Sequence, residues 1–82
     1  MEQQCIVYST KDCIECTYVK KMLIEAGIEF EVRDISDNVI YQEEVKQFGF
    51  LGVPVTVVAG RAVKGLTSEL VELVELVQNK NF

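Results

Sequence analysis

Histidine is absent from this 82-residue chain, proline occurs once and cysteine three times. A closed structural zinc site takes four ligands, mostly nitrogen and sulfur, so three cysteines without histidine leave such a centre short of donors, and no metal is expected. Positive charge is scarce too, with 8 Lys and Arg against 13 Asp and Glu and a net charge of −5. Nucleic acid and anionic membrane are excluded as partners on that ground, since either requires a basic face. No apolar stretch approaches the roughly 20 residues that span a bilayer. Glu2-Gln3-Gln4 lacks the basic start and apolar run of a signal peptide. Linkers, repeats and low-complexity segments are missing as well. These absences predict one domain over residues 1–82, acting as a monomer in a reducing cytoplasm, where a cysteine pair is more often catalytic than structural. The hydrophobic share of 49% is generous for the length and fits a core built without metal or structural disulfide.

Against that background stands Cys13-Ile14-Glu15-Cys16, directly after a short apolar strand and at the start of an amphipathic helix. Residues three apart on a helix face the same way, which brings two sulfurs within bonding reach. Unpaired N–H groups and the macrodipole at a helix start favour an anion, so the first cysteine is placed to be a thiolate. Asp12 and Glu15 read as a capping box, with Asp12 at the N-cap and Cys13 at the first helical position. Cys16, Val19, Leu23 and Ala26 then share the apolar face. Cys16 is the shielded sulfur and Cys13 the open one, so Cys13 is expected to attack a substrate disulfide and Cys16 to resolve the mixed disulfide. Lys11 favours the Cys13 thiolate, or is simply a solvated loop lysine; Asp12 and Glu15 oppose it. Cys5, in mid-strand, reads as a small core residue.

The hydrophobic pattern predicts the order βαβαββα. A strand over 4–9 is followed by a helix from about Cys13 to Ala26, stopped by Gly27. Ile28 to Ile35 alternates with period two and reads as a second strand. Ser36 or Asp37 caps a second helix that buries Tyr41, Val45 and Phe48 and ends at Gly49. Val55 to Ala59 is a β-branched run suited to a central strand, Gly60-Arg61 a Gly-X turn, and Ala62 to Lys64 a fourth strand. Thr67 or Ser68 caps a last helix with Leu70, Leu73, Val74 and Val77 on one face and Glu69, Glu72 and Glu75 on the other. The fold class is therefore α/β: a mixed four-stranded sheet with helices on both faces and a right-handed first crossover. It presents the CxxC at a sheet edge beside the first helix.

In that order the residues resemble the glutaredoxin branch of the thioredoxin fold over essentially the whole chain. Tyr8 to Cys16 (YSTKDCIEC) is similar to the family's strand-loop-CxxC opening, Gly52-Val53-Pro54 to its cis-proline loop, and Gly65 to the glycine after its last strand. Cys16-Thr17 with Lys20, Gly49-Phe50 ahead of Pro54, and the Ile14-Glu15 pair most resemble the NrdH-redoxins, which reduce ribonucleotide reductase. Two features depart from the patterns. Val63-Lys64-Gly65-Leu66-Thr67-Ser68 replaces the redoxins' aromatic and basic segment, and it lacks the Gly-Gly pair and acidic residues of glutathione-binding glutaredoxins.

The resemblance implies a thiol–disulfide oxidoreductase that reduces protein disulfides through Cys13 and Cys16, recharged by thioredoxin reductase or by glutathione, with no tightly bound cofactor. It implies a cis Val53–Pro54 bond that turns the Val53 backbone toward Cys13 for an extended substrate peptide. Ile14, Val53 and Leu66 would form an apolar rim, with Gly65, Thr67 and Ser68 completing the substrate-binding loop. Leu66 reads equally as core, and Tyr8 either hydrogen-bonds near the thiolate or fills the core. Three other functions stay open: a glutathione-dependent glutaredoxin using Cys13 alone, a carrier of a [2Fe–2S] cluster held by Cys13 of two copies plus external thiols, and a binding module that changes partner with disulfide state.

Overall fold

Four consecutive buried residues, Val55–Val58, form the strand around which the rest assembles. β-Branched side chains fit a pleated surface covered on both faces. The computed structural model describes residues 5–80, so Gln4 of the expected first strand lies outside the described residues. The elements are β1 (Cys5–Ser9), α1 (Ile14–Glu25), β2 (Glu31–Asp34), α2 (Val39–Gln47), β3 (Val55–Val58), β4 (Arg61–Lys64) and α3 (Ser68–Lys80). The sheet order is β2-β1-β3-β4. β1 runs parallel to β2 and antiparallel to β3, and β3 pairs antiparallel with β4. This is the expected mixed four-stranded sheet.

Strand alternation sorts side chains onto two cores. Cys5, Val7, Val58 and Val63 face α1 and α3 and pack with Val19, Leu23, Leu70, Leu73, Val74 and Val77. Tyr8, Val55 and Val57 face the other way and pack with Val45 of α2, joined by Ile6, Tyr41, Phe50 and Val53 at the margin. Full burial of one such aliphatic side chain contributes about 1.5–3 kcal/mol. Behind the second core, the Tyr8 hydroxyl donates to Glu44 Oε1 at 2.7 Å, and Arg33 Nη1 donates to both the Tyr8 oxygen and Glu44 Oε1. Arg33 also pairs with Glu31 at 2.8 Å. Burial and the Glu44 bond raise the Tyr8 pKa.

Several local expectations are corrected. α1 is capped by Cys13, not Asp12; Asp12 sits at φ 58°, outside the extended region that an N-cap residue adopts. α2 is capped by Asn38, whose side chain accepts the Tyr41 N–H at 3.0 Å, while Ser36 and Asp37 turn back to bind the Lys11 backbone and ammonium. Phe48 is 40% exposed, although its ring still meets that of Tyr8 at 6.3 Å. β2 is shorter than the 28–35 alternation suggests: it is an edge strand, Val32 is exposed, and Ile28 and Phe30 pack on the first core before the strand begins. The hairpin turn is Ala59-Gly60, with φ 52° and 83°, one residue earlier than expected. Positive φ at both central residues is what a two-residue turn needs to follow strand twist, and the shift leaves Val57 opposite Ala62 and Thr56 opposite Val63.

Candidate active site

β1 delivers the chain to the site. It is an interior strand, so the CxxC lies beyond its C-terminal end and not at an outer edge of the sheet. The turn Thr10–Asp12 brings Cys13 to the N-cap of α1 in extended conformation, φ −112° and ψ 104°. Its sulfur accepts the Cys16 N–H at 3.1 Å, and its carbonyl accepts the Thr17 N–H at 3.2 Å. Cys13 and Cys16 form a disulfide with a Cα–Cα separation of 5.2 Å. Cys13 is half-buried, whereas Cys16 is 1% exposed, the asymmetry that the helical period implies. The remaining cysteine, Cys5, is free and buried, and burial pushes its thiol up to about 11.

The antiparallel pairing of Tyr8 with Val55 brings Pro54 to this same end of the sheet. The Val53–Pro54 bond is cis, as the resemblance implies. Pro54 is buried, and its carbonyl accepts the Gly65 N–H at 2.8 Å, which ties the cis-proline loop to the loop after β4. Lys64 leans over that loop, since a Cβ on Gly52 would lie 3.4 Å from Lys64 Cε. Gly65 takes φ 84° and leads into Leu66, which is 41% exposed. Ile14 is exposed as well, and Val53 is partly buried against the second core. Thr67 accepts the Leu70 N–H through its hydroxyl and caps α3, and Ser68 is the first, exposed residue of that helix.

Two sequence-derived supports for the thiolate are placed differently. The Tyr8 hydroxyl is engaged by Glu44 and Arg33 on the α2 side, so Tyr8 is a core residue and not a partner of Cys13. Lys11 lines an open cleft with Cys13, Lys20 and Asp34, but its ammonium lies 3.6 Å from Asp37. The backbone N–H and the side chain of Ser36 hold Asp34 below its ordinary pKa. The residue whose part was missed is Glu15. Its carboxylate does not close a capping box but accepts the Leu66 N–H at 2.8 Å. No local signal marks that bond, because the partner lies 51 residues further along the chain. Among the described residues no group of three or more His, Cys, Asp or Glu could hold a metal ion, and no helix is long and apolar enough to cross a membrane.

A cysteine pair at the first turn of α1, beside a cis-proline loop on a four-stranded mixed sheet, defines a thioredoxin-type architecture. Within it the chain belongs to the glutaredoxin family, whose model matches residues 5–63. It is 37% identical over 68 residues to the glutaredoxin-like protein NrdH of Lactococcus lactis subsp. lactis, covering 82% of this chain and 94% of that protein. Among solved structures it is similar to the glutaredoxin Grx-1 of Archaeoglobus fulgidus, with 27% identity, TM-score 0.77 and coverage of 85% of this chain and 84% of that one. It shares the fold of the NrdH-redoxin of Escherichia coli, with 20% identity, TM-score 0.76 and coverage of 84% and 91%. The family is one of thiol–disulfide oxidoreductases.

Proposed function

We propose that this protein is a dithiol electron donor that reduces disulfides in other proteins. The observation that carries this reading is the Cys13–Cys16 disulfide, with one sulfur half-exposed at a helix start and the other buried. In the reduced form the Cys13 thiolate attacks the nearer sulfur of a substrate disulfide, and the substrate bond breaks to release one thiolate. The Cys16 thiolate then attacks Cys13, releases the second substrate thiolate and closes the Cys13–Cys16 bond. Two electrons pass to the substrate, and no tightly bound cofactor takes part. Cys13 is the better attacking sulfur because the Cys16 N–H already points at it and the start of α1 favours its anion. Ile14 and Leu66 offer apolar contact on either side, and the Val53 and Pro54 backbone an edge for an extended peptide.

Ribonucleotide reductase is the first protein substrate to try, on the likeness to NrdH proteins. For the reductant, the α3 start is informative. Thr67 and Ser68 carry no charge there, whereas a carboxylate would hold the ammonium of glutathione by a charge-assisted bond of about 1.5–3 kcal/mol. Glu69 is the one-residue alternative, but it lines a groove with Arg61 and Glu72 between β4 and α3. Lacking that bond weakens glutathione by roughly ten- to a hundredfold. Thioredoxin reductase should therefore drive the protein at least as well as glutathione does. Insulin reduction, driven in parallel by NADPH with thioredoxin reductase and by NADPH with glutathione and its reductase, tests both claims. Failure with both reductants refutes the donor reading, and a clear preference for glutathione reverses the choice of reductant.

A further inference from the structure

Glu15 stands between the two cysteines, yet its side chain leaves α1. Oε2 accepts the Leu66 N–H at 2.8 Å, in an exposed position. A Cβ on Gly65 would lie 3.0 Å from the same oxygen, so the carboxylate rests on backbone that has no side chain to hold it off. The anchoring matters because an exposed glutamate ordinarily samples several rotamers and its charge is spread over many positions. Here the charge is pinned between the segment that carries Cys13 and the loop that carries Leu66. Charges of both signs stand nearby, with Lys11 and Lys20 lining the cleft at Cys13. Asp12 adds a second negative group beside Cys13, and the ammonium of Lys11 is turned to Asp37 at 3.6 Å. Lys64 leans over Gly52. Among the described residues the hydrogen-bond partner of Glu15 is a backbone N–H and not a cation.

We propose that Glu15 determines the charge preference of the exchange site, favouring disulfides flanked by cationic groups and disfavouring anionic ones. This rests on the thiol–disulfide exchange reading given above. Two effects act together. The fixed carboxylate attracts or repels whatever flanks the substrate disulfide as it approaches Cys13, an interaction weakened by salt because the site is open to water. The same carboxylate occupies the Leu66 N–H, a donor that an incoming substrate carboxylate would otherwise use. Glu15 is thus a specificity-determining residue, and it takes no part in bond making or breaking.

The test uses pre-reduced protein in single turnovers, so that no reductant enters the comparison. Cystamine carries two ammonium groups, 3,3′-dithiodipropionate two carboxylates, and bis(2-hydroxyethyl) disulfide no charge and serves as the reference. A change in the thiolate fraction of Cys13 or in the general fit of the Leu66 loop moves all three rates together and cancels in their ratios. In Glu15→Gln, where an amide oxygen still accepts the Leu66 N–H, the cystamine-to-dithiodipropionate rate ratio should fall roughly three- to tenfold, as expected for removing one charge near an exposed site. Glu15→Ala should show at least as large a fall, and the wild-type ratio should shrink as salt is added. An unchanged ratio in Glu15→Gln, with the wild type reducing all three disulfides, overturns the assignment and leaves the exchange reading intact. A wild type that reduces none of them overturns both.

Discussion

Helices α1 and α2 start from nearly the same backbone. Cys13 has φ −112° and ψ 104° and accepts the N–H of the residue three further on; Asn38 has φ −132° and ψ 105° and does the same. The amide oxygen of Asn38 satisfies one of the orphan donors at the helix start and has no further chemistry to offer. Sulfur in the same position is a weaker acceptor when neutral, but it passes through disulfide, thiol and thiolate, and the anion is the form that the helix start stabilises most. One local geometry caps a helix with an amide oxygen at α2 and with a sulfur capable of redox change at α1. The difference lies in one side chain and not in the path of the backbone.

Breaking the chemistry while keeping the cap gives the largest expected effect. Cys13→Ser retains an N-cap residue of high preference, so disulfide reduction should be lost while stability stays within about 1 kcal/mol of the reduced wild type. Cys16→Ser should instead accumulate a mixed disulfide on Cys13. Mass spectrometry after exposure to a disulfide substrate and urea unfolding measure the two halves of this prediction, and trapping at Cys16 in the Cys13 variant would reverse the roles of the two sulfurs.

Cys5 sharpens the comparison from the opposite side, as a sulfur with neither a helix start nor solvent. It should resist alkylation at neutral pH while Cys13 of the reduced protein reacts. Its thiol is pushed from about 9 in the unfolded chain to about 11 in the fold. Below pH 9 it is neutral in both states and costs nothing. As pH rises from 9 to 11 the unfolded chain ionises and the native state does not, so stability falls through that window by about 2–3 kcal/mol at 1.36 kcal/mol per unit. Cys5→Ala should be less stable at pH 7 but show a shallower decline above pH 9, which denaturant titrations across pH measure.

The smallest expected effect falls on the purely structural cap. Asn38→Ala should lower stability by about 1 kcal/mol, within a range of roughly 0.5–2. Disulfide reduction should be unchanged, since Asn38 lies outside the site. A drop in activity at unchanged stability would show that the start of α2 also shapes the chemistry, and the contrast between the two caps would fail.

Much of this arrangement was legible in the residue order. A short apolar run marked β1 and a β-branched one β3, the apolar face of 70, 73, 74 and 77 marked α3, and the helical period from Cys16 gave one open and one buried sulfur. What escaped depends on partners far away in sequence. Asp12 and Glu15 fit a capping pattern, yet backbone at φ 58° removes Asp12 from that role and Glu15 finds Leu66 instead. Ser36 and Asp37 carry the right chemistry for a cap, but the Lys11 segment claims them and leaves it to Asn38. Tyr8 read as site or core with core packing favoured, and Arg33 and Glu44, on two other elements, hold it there.

The Ala59-Gly60 turn has a practical use. Val58 pairs with Cys5, at the far end of β1 from Cys13, and both turn residues are exposed. Exposed loop tips tolerate added chain best. A fluorophore, an affinity peptide or a surface tether inserted there would sit a full strand length from Cys13 and Cys16, so the hairpin tip is the handle by which this protein can be immobilised or followed with both sulfurs left clear.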